Sequence, residues 1–152
     1  MKIKLLILVF LPFTTFAESK FDIELLNIGV VDSSYKIIDY KTFDEILRLS
    51  SQQISPMLPM KVDSVTTALS FNLNRFGIYS IYQIDNVETE REAEFLIEKQ
   101  KIGEFYRNYM CSLDYSKSLT FKRNGDMAAN MSVVNSKYQV LYKIRVPFKE
   151  CI

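Results

Sequence analysis

The stretch VDSVTTALSFNLNRFGIYSIYQI, residues 62–84, decides the fold. Val65, Thr67, Leu69, Phe71 and Leu73 alternate with polar or small residues, which puts them on one side of an extended chain. Asn74-Arg75-Phe76-Gly77 has turn chemistry, and Ile78 to Ile84 is rich in β-branched and aromatic residues. The two runs therefore predict a hairpin. Just upstream, Pro56 and Pro59 bar a helix, so the hairpin begins after a proline-bounded turn.

Helical signals lie on both sides. Before the prolines, Phe43, Ile46, Leu47 and Ile54 recur at helical intervals behind Thr42 and Glu45, which have the spacing of a capping box; a helix over 43–54 is expected. After the hairpin, Thr89 to Glu92 repeats that signature and opens a long helix with Phe95, Leu96, Ile102, Tyr106 and Tyr109 on one face, ending near Met110. Its acidic first turn suits the helix dipole. Strands return at 126–134 and over Tyr138, Val140, Tyr142, Ile144 and Val146, joined at Asn135-Ser136 and stopped by Pro147. Residues 18–40 are open between strand and short helix, and 117–123 is equally ambiguous. The order predicts one α+β domain, with an antiparallel sheet of about four strands and helices on one face.

The chain has 152 residues, 48% hydrophobic and 24% charged, enough for one globular domain. Residues 1–17, MKIKLLILVFLPFTTFA, combine Lys2 and Lys4 with an apolar run over 5–13 and small residues at Thr15 and Ala17, so a signal peptide cleaved between Ala17 and Glu18 is expected. That run is far short of the ~20 residues a spanning helix needs, and no cysteine follows it to carry a lipid anchor. Residues 18–152 are then the mature domain, free of a stable membrane anchor and located in the periplasm or, alternatively, secreted. Losing Lys2 and Lys4 changes the net charge from +1 to −1 and leaves no excess of cations for nucleic acid.

The two cysteines, Cys111 and Cys151, are even in number in an exported chain and read first as a disulfide closing a loop of about forty residues. A redox pair or two free thiols are the alternatives, but neither cysteine has a CxxC spacing or a histidine neighbour.

Catalytic equipment is sparse. There is no histidine, which removes Ser-His-Asp and Cys-His nucleophiles and imidazole zinc sites. The four glycines form no phosphate-binding loop, and no metal-ligand spacing or calcium loop is present. Glu88, Glu90, Glu92 and Glu94 could supply paired carboxylates, but they read better as the solvated start of a helix, and Asp63 reads as a turn or capping carboxylate. No catalytic residue, metal, cofactor or small-molecule substrate is assigned. Met57, Met60, Met110, Met127 and Met131 read as core filling, and Lys117, Lys122 and Arg123 as a solvated surface. The tyrosines are the remaining candidates. Tyr79 and Tyr82 have opposite parity on one strand, Tyr138 and Tyr142 the same, and all four are candidate partner-binding residues, because tyrosine anchors protein interfaces. An exposed sheet edge that accepts an extended peptide is the second route to a partner.

Leu58-Pro59, Val62-Asp63, Thr66, Leu69, a post-helical Cys111, the strand from Tyr138 to Val146 and the terminal Cys151 together resemble the quorum-sensing-regulated virulence factors, small periplasmic proteins with two cysteines. Those residues are fold markers without catalytic roles. The resemblance implies a short helix within 117–123, and Asn135-Ser136 departs from the Asp-Gly type of turn expected there. In length, leader and lysine- and isoleucine-rich style the chain is also similar to the small soluble proteins of type IVb pilus operons. That similarity implies a non-enzymatic periplasmic component of pilus biogenesis, whose protein partners belong to a pilus assembly or secretion machine: the outer-membrane secretin complex or exported cargo.

Overall fold

The computed structural model describes residues 19–151, so the leader and the Ala17/Glu18 cleavage point lie outside the described residues. Helix α1 (Lys20–Asn27) is followed by α2 (Tyr40–Ile54), and then by β1 (Met60–Lys61), β2 (Thr66–Asn74) and β3 (Gly77–Ile84). Four helices come next: α3 (Glu90–Lys99), α4 (Ile102–Ser112), α5 (Asp114–Lys117) and α6 (Leu119–Arg123). The chain closes with β4 (Ala128–Val134) and β5 (Val140–Pro147). Among the described residues no helix is long and apolar enough to cross a membrane.

The five strands form one sheet in the order β1-β2-β3-β4-β5. The hairpin forms as expected, but β4 lies parallel to β3, with Ile78 opposite Ala129, so the sheet is mixed and has one strand more than the sequence suggests. The reason lies in the connection. The helices α3 to α6 carry the chain back to the end where β3 began, a crossover that delivers a parallel neighbour, whereas a hairpin delivers an antiparallel one. The extra strand is β1, whose two residues pair with Thr67 and Ala68 of β2.

Helices cover one sheet face. Leu73, Ile78, Ala129, Met131, Val133 and Val146 are buried beneath them, while Asn72, Tyr79, Lys143 and Arg145 stand exposed on the other. Two bulges break the simple alternation. Leu69 is the extra residue between Ala68 and Ser70, which brings Ala68 to the buried side, and Leu141 is the extra residue that places Val140, not Leu141, opposite Val134. Below the sheet, Phe121 is fully buried, stacked on Phe21 at 5.5 Å and edge-on to Phe148 at 5.7 Å, with Phe43 at 6.0 Å. Met110, Met127 and Met131 join this core, but Met57 and Met60 are exposed, contrary to their reading as core filling.

Helix ends also correct the sequence reading. Thr42 is not the cap of α2: Asp39 is, accepting from the Thr42 amide at 3.0 Å, so α2 begins at Tyr40. Thr89 and Glu92 do form the predicted capping box. The long helix behind them is two helices, broken at Lys101 in the left-handed region, with Phe95 and Tyr109 exposed. The ambiguous 117–123 is resolved as the end of α5 and the whole of α6, parted at Ser118.

Gly77 is where the topology is tightest. Its φ is +135°, and a β-carbon there would stand 1.9 Å from the Ala128 carbonyl oxygen on the neighbouring parallel strand. We expect Gly77→Ala to destabilise the domain by roughly 2 to 3 kcal/mol, the range of local backbone strain, measured as a shift in the urea midpoint at unchanged slope. A midpoint equal to wild type would contradict the packing of β3 on β4.

Candidate functional site

The hairpin tip and the loops at that end of the sheet enclose a groove of about 580 Å³. Its walls come from Tyr40 at the start of α2, Arg75 and Phe76 in the β2–β3 turn, Tyr79 of β3, Asn130 of β4 and Arg145 of β5. Tyr40, Phe76 and Tyr79 are 49%, 66% and 41% exposed, a concentration of aromatic surface that water does not favour. The Arg75 guanidinium lies 5.5 Å from the Tyr40 ring centre and 5.7 Å from that of Phe76, and pairs with Asp44 at 3.1 Å. Cation–π contact and ion pair together hold the arginine in the wall.

Local chemistry places these groups. Asn74 Oδ1 accepts from the Phe76 amide at 2.8 Å, which fixes the turn. Asn130 donates from Nδ2 to the carbonyls of Ile78 and Ala128, bracing the floor. Arg145 donates to the Asp126 carboxylate at 2.8 Å and to its backbone carbonyl at 2.9 Å. The Lys149 hydrogen bond and the Arg145 charge hold the Asp126 carboxyl below its ordinary range, so it stays ionised.

The four tyrosines proposed from sequence do not form one face. Tyr79 lines the hairpin-end groove. Tyr138 is 72% exposed in the loop before β5, with φ +60°, and because of the bulge at Leu141 it does not continue the alternation; the reading that it shares a face with Tyr142 is corrected. Tyr142 sits on the helix-covered side, against the core. Tyr82 also packs there, near the Ser80–Tyr106 hydroxyl pair at 3.4 Å. Burial pushes the Tyr106 phenol up to about 12 and raises that of Tyr82, so both are neutral hydroxyls.

Three of the candidate carboxylates have structural partners. Glu92 closes its capping box, Glu88 accepts from the amide and hydroxyl of Ser136, and Asp63 accepts from the amides of Val65 and Thr66 as a turn carboxylate should. Of the supposed solvated cations, Lys122 donates to the Cys151 carbonyl and Arg123 to that of Ser34. Cys111 and Cys151 are joined as a disulfide, which ties the last turn of α4 to the C-terminus.

Tyr40, Arg75 and Phe76 were missed in the sequence. Arg75 and Phe76 were read only as turn residues, yet an aromatic beside an arginine at a hairpin tip is itself a signal, because a turn that faces only water does not need one.

The sequence matches no known family description, and no curated protein matches it. In structure the chain is similar to a "putative secreted protein" of Pseudomonas aeruginosa, known from a crystal structure: TM-score 0.57, 9% identity, with 76% of this chain and 97% of that one covered. At that identity the likeness shows a shared fold.

Proposed function

We propose that this chain is an exported protein without catalytic activity that works by holding another protein, as an accessory component of pilus biogenesis or secretion. The hairpin-end groove carries the reading. Aromatic and arginine side chains gathered in one partly enclosed place are the composition of interface anchors, and here Tyr40, Phe76 and Tyr79 keep large areas exposed around Arg75. Export is supported by the leader-like residues 1–17, by the disulfide, a bond that oxidising compartments maintain, and by the secreted description of the Pseudomonas aeruginosa protein of similar fold. The pilus assignment rests on the similarity to the small soluble proteins of type IVb pilus operons. A mature charge of −1 offers no general attraction to phosphate backbones, which favours a protein over a nucleic acid as the partner.

Affinity capture from periplasmic extract with wild-type and Phe76→Ala/Tyr79→Ala proteins tests this. We expect the double variant, folded by circular dichroism, to lose at least about tenfold in partner affinity, as truncated interface anchors do. Undiminished capture would remove the groove as the binding site. Secretion into the medium, with nothing retained in the periplasm, would favour instead an effector or inhibitor acting outside the cell.

A further inference from the structure

The two sheet edges are treated differently. At the β2 edge, β1 pairs with Thr67 and Ala68, and farther along Ser51 of α2 accepts from the Leu73 amide at 2.7 Å and donates to its carbonyl at 3.0 Å. That edge is occupied. At the other, the Phe148 amide donates to Met127, which sets the even-numbered residues 142, 144 and 146 as those hydrogen-bonded to β4. The amides and carbonyls of Lys143 and Arg145 therefore point outward, and Pro147 ends the row without an N–H to satisfy. Among the described residues no loop or helix hydrogen-bonds to the Lys143 or Arg145 backbone.

Beside this edge runs a second groove, of about 430 Å³, between β5 and the α3–α4 pair. Tyr142 and Ile144 line it from β5, Ile97 from α3, and Gly103, Glu104 and Arg107 from α4. Lys143 and Arg145 stand on the opposite side of the strand, where the helices do not reach. A strand laid against β5 would send alternate side chains into these two environments, one where Tyr142 and Ile144 are flanked by Glu104 and Arg107, and one that carries Lys143 together with Arg145, whose charge Asp126 partly offsets.

We propose that β5 accepts an extended segment of a partner protein as a sixth strand, and that this segment alternates apolar with acidic residues. Charge selects the occupant. A second copy would bring its own Lys143 and Arg145 against these, and such cations with a proline are how natural edges resist self-pairing. An acidic strand reverses that repulsion while it uses the same main-chain hydrogen bonds. The site shares Arg145 with the hairpin-end groove, but it rests on the open edge of β5 and on Lys143, not on Tyr40, Phe76 or Tyr79.

The probe is a synthetic peptide alternating glutamate with valine, matched in length to the eight residues of β5, with a lysine–valine counterpart as control. Amide hydrogen exchange of the full mature protein reports the outcome. The acidic peptide is expected to slow exchange at Lys143 and Arg145 at least about tenfold under saturation, in a salt-sensitive manner, while the basic peptide does nothing. Lys143→Glu is expected to weaken the acidic peptide and to gain binding to the basic one, a reversal that loss of folding cannot imitate. Equal binding of both peptides, or no protection at β5 with the acidic peptide in excess, would overturn the proposal. Tyr79→Ala should leave β5 protection unchanged, which separates this site from the groove.

Discussion

Replacing both Cys111 and Cys151 with alanine will lower the unfolding free energy by about 4 kcal/mol, the chain-entropy value for a loop of this length. The bridge spans 40 residues and joins the last turn of α4 to the C-terminal segment, so it encloses α5, α6, β4 and β5. Without it the unfolded chain gains the freedom of that whole loop. The native end is also held by buried Phe148, whose amide donates to Met127, by the Lys122 contact to the Cys151 carbonyl, and by the Arg107–Glu150 and Lys149–Asp126 ion pairs, which are exposed and worth little. Thermal unfolding of the double variant should fall on the order of 15 °C below wild type. Wild type in reductant should fall by a similar amount, while the alanine variant does not respond to reductant. Coincident melting curves for oxidised and reduced wild type would show that the bridge constrains nothing the fold does not already fix.

Asp22→Ala will cost about 4 kcal/mol, the scale of removing a buried charged partner. Asp22 is fully buried in the first turn of α1, and its carboxylate accepts four hydrogen bonds: from the Ser118 and Thr120 hydroxyls at 2.6 and 2.7 Å, and from the Leu119 and Thr120 amides at 2.7 and 3.0 Å. Two of those donors are the free amides that begin α6, so this side chain caps a helix distant in sequence and fastens α1 to it. Burial favours the neutral acid, but the hydrogen bonds from Ser118, Thr120 and Leu119 outweigh it and hold the carboxyl below its ordinary value. A group depressed in the folded state stabilises above its unfolded pKa, here near 3.8, and that stabilisation disappears as the pH falls through the lower folded value. The gap between wild type and Asp22→Asn in urea unfolding should therefore be full near neutrality and close in strong acid. A gap independent of pH would mean that Asp22 acts by shape and not by charge.

Asp22 also shows what the sequence hides. Its donors lie almost a hundred positions away, and no local pattern in 18–40 announces that a short helix will be pinned by Ser118 and Thr120. The hairpin was legible because strand alternation and turn chemistry are local, and so was the Thr89–Glu92 capping box. The parallel pairing of β3 with β4 was not, because it depends on where the α3–α6 crossover returns. The bulges at Leu69 and Leu141 are invisible to parity counting, and the second of them misplaced Tyr138 relative to Tyr142. The groove was legible only in part. Tyr79 stood out as a tyrosine, while Tyr40, Arg75 and Phe76 come together from three elements that only the folded sheet end assembles.

A photoreactive amino acid placed at Tyr79 in cells, with the same group at exposed Gln52 on α2 as the reference, tests the binding reading most directly. A discrete covalent adduct with another exported protein at position 79, absent at 52 and diminished by Phe76→Ala, is the predicted result. Identical adduct patterns at both positions, or none at 79 from a correctly folded and exported chain, would contradict it.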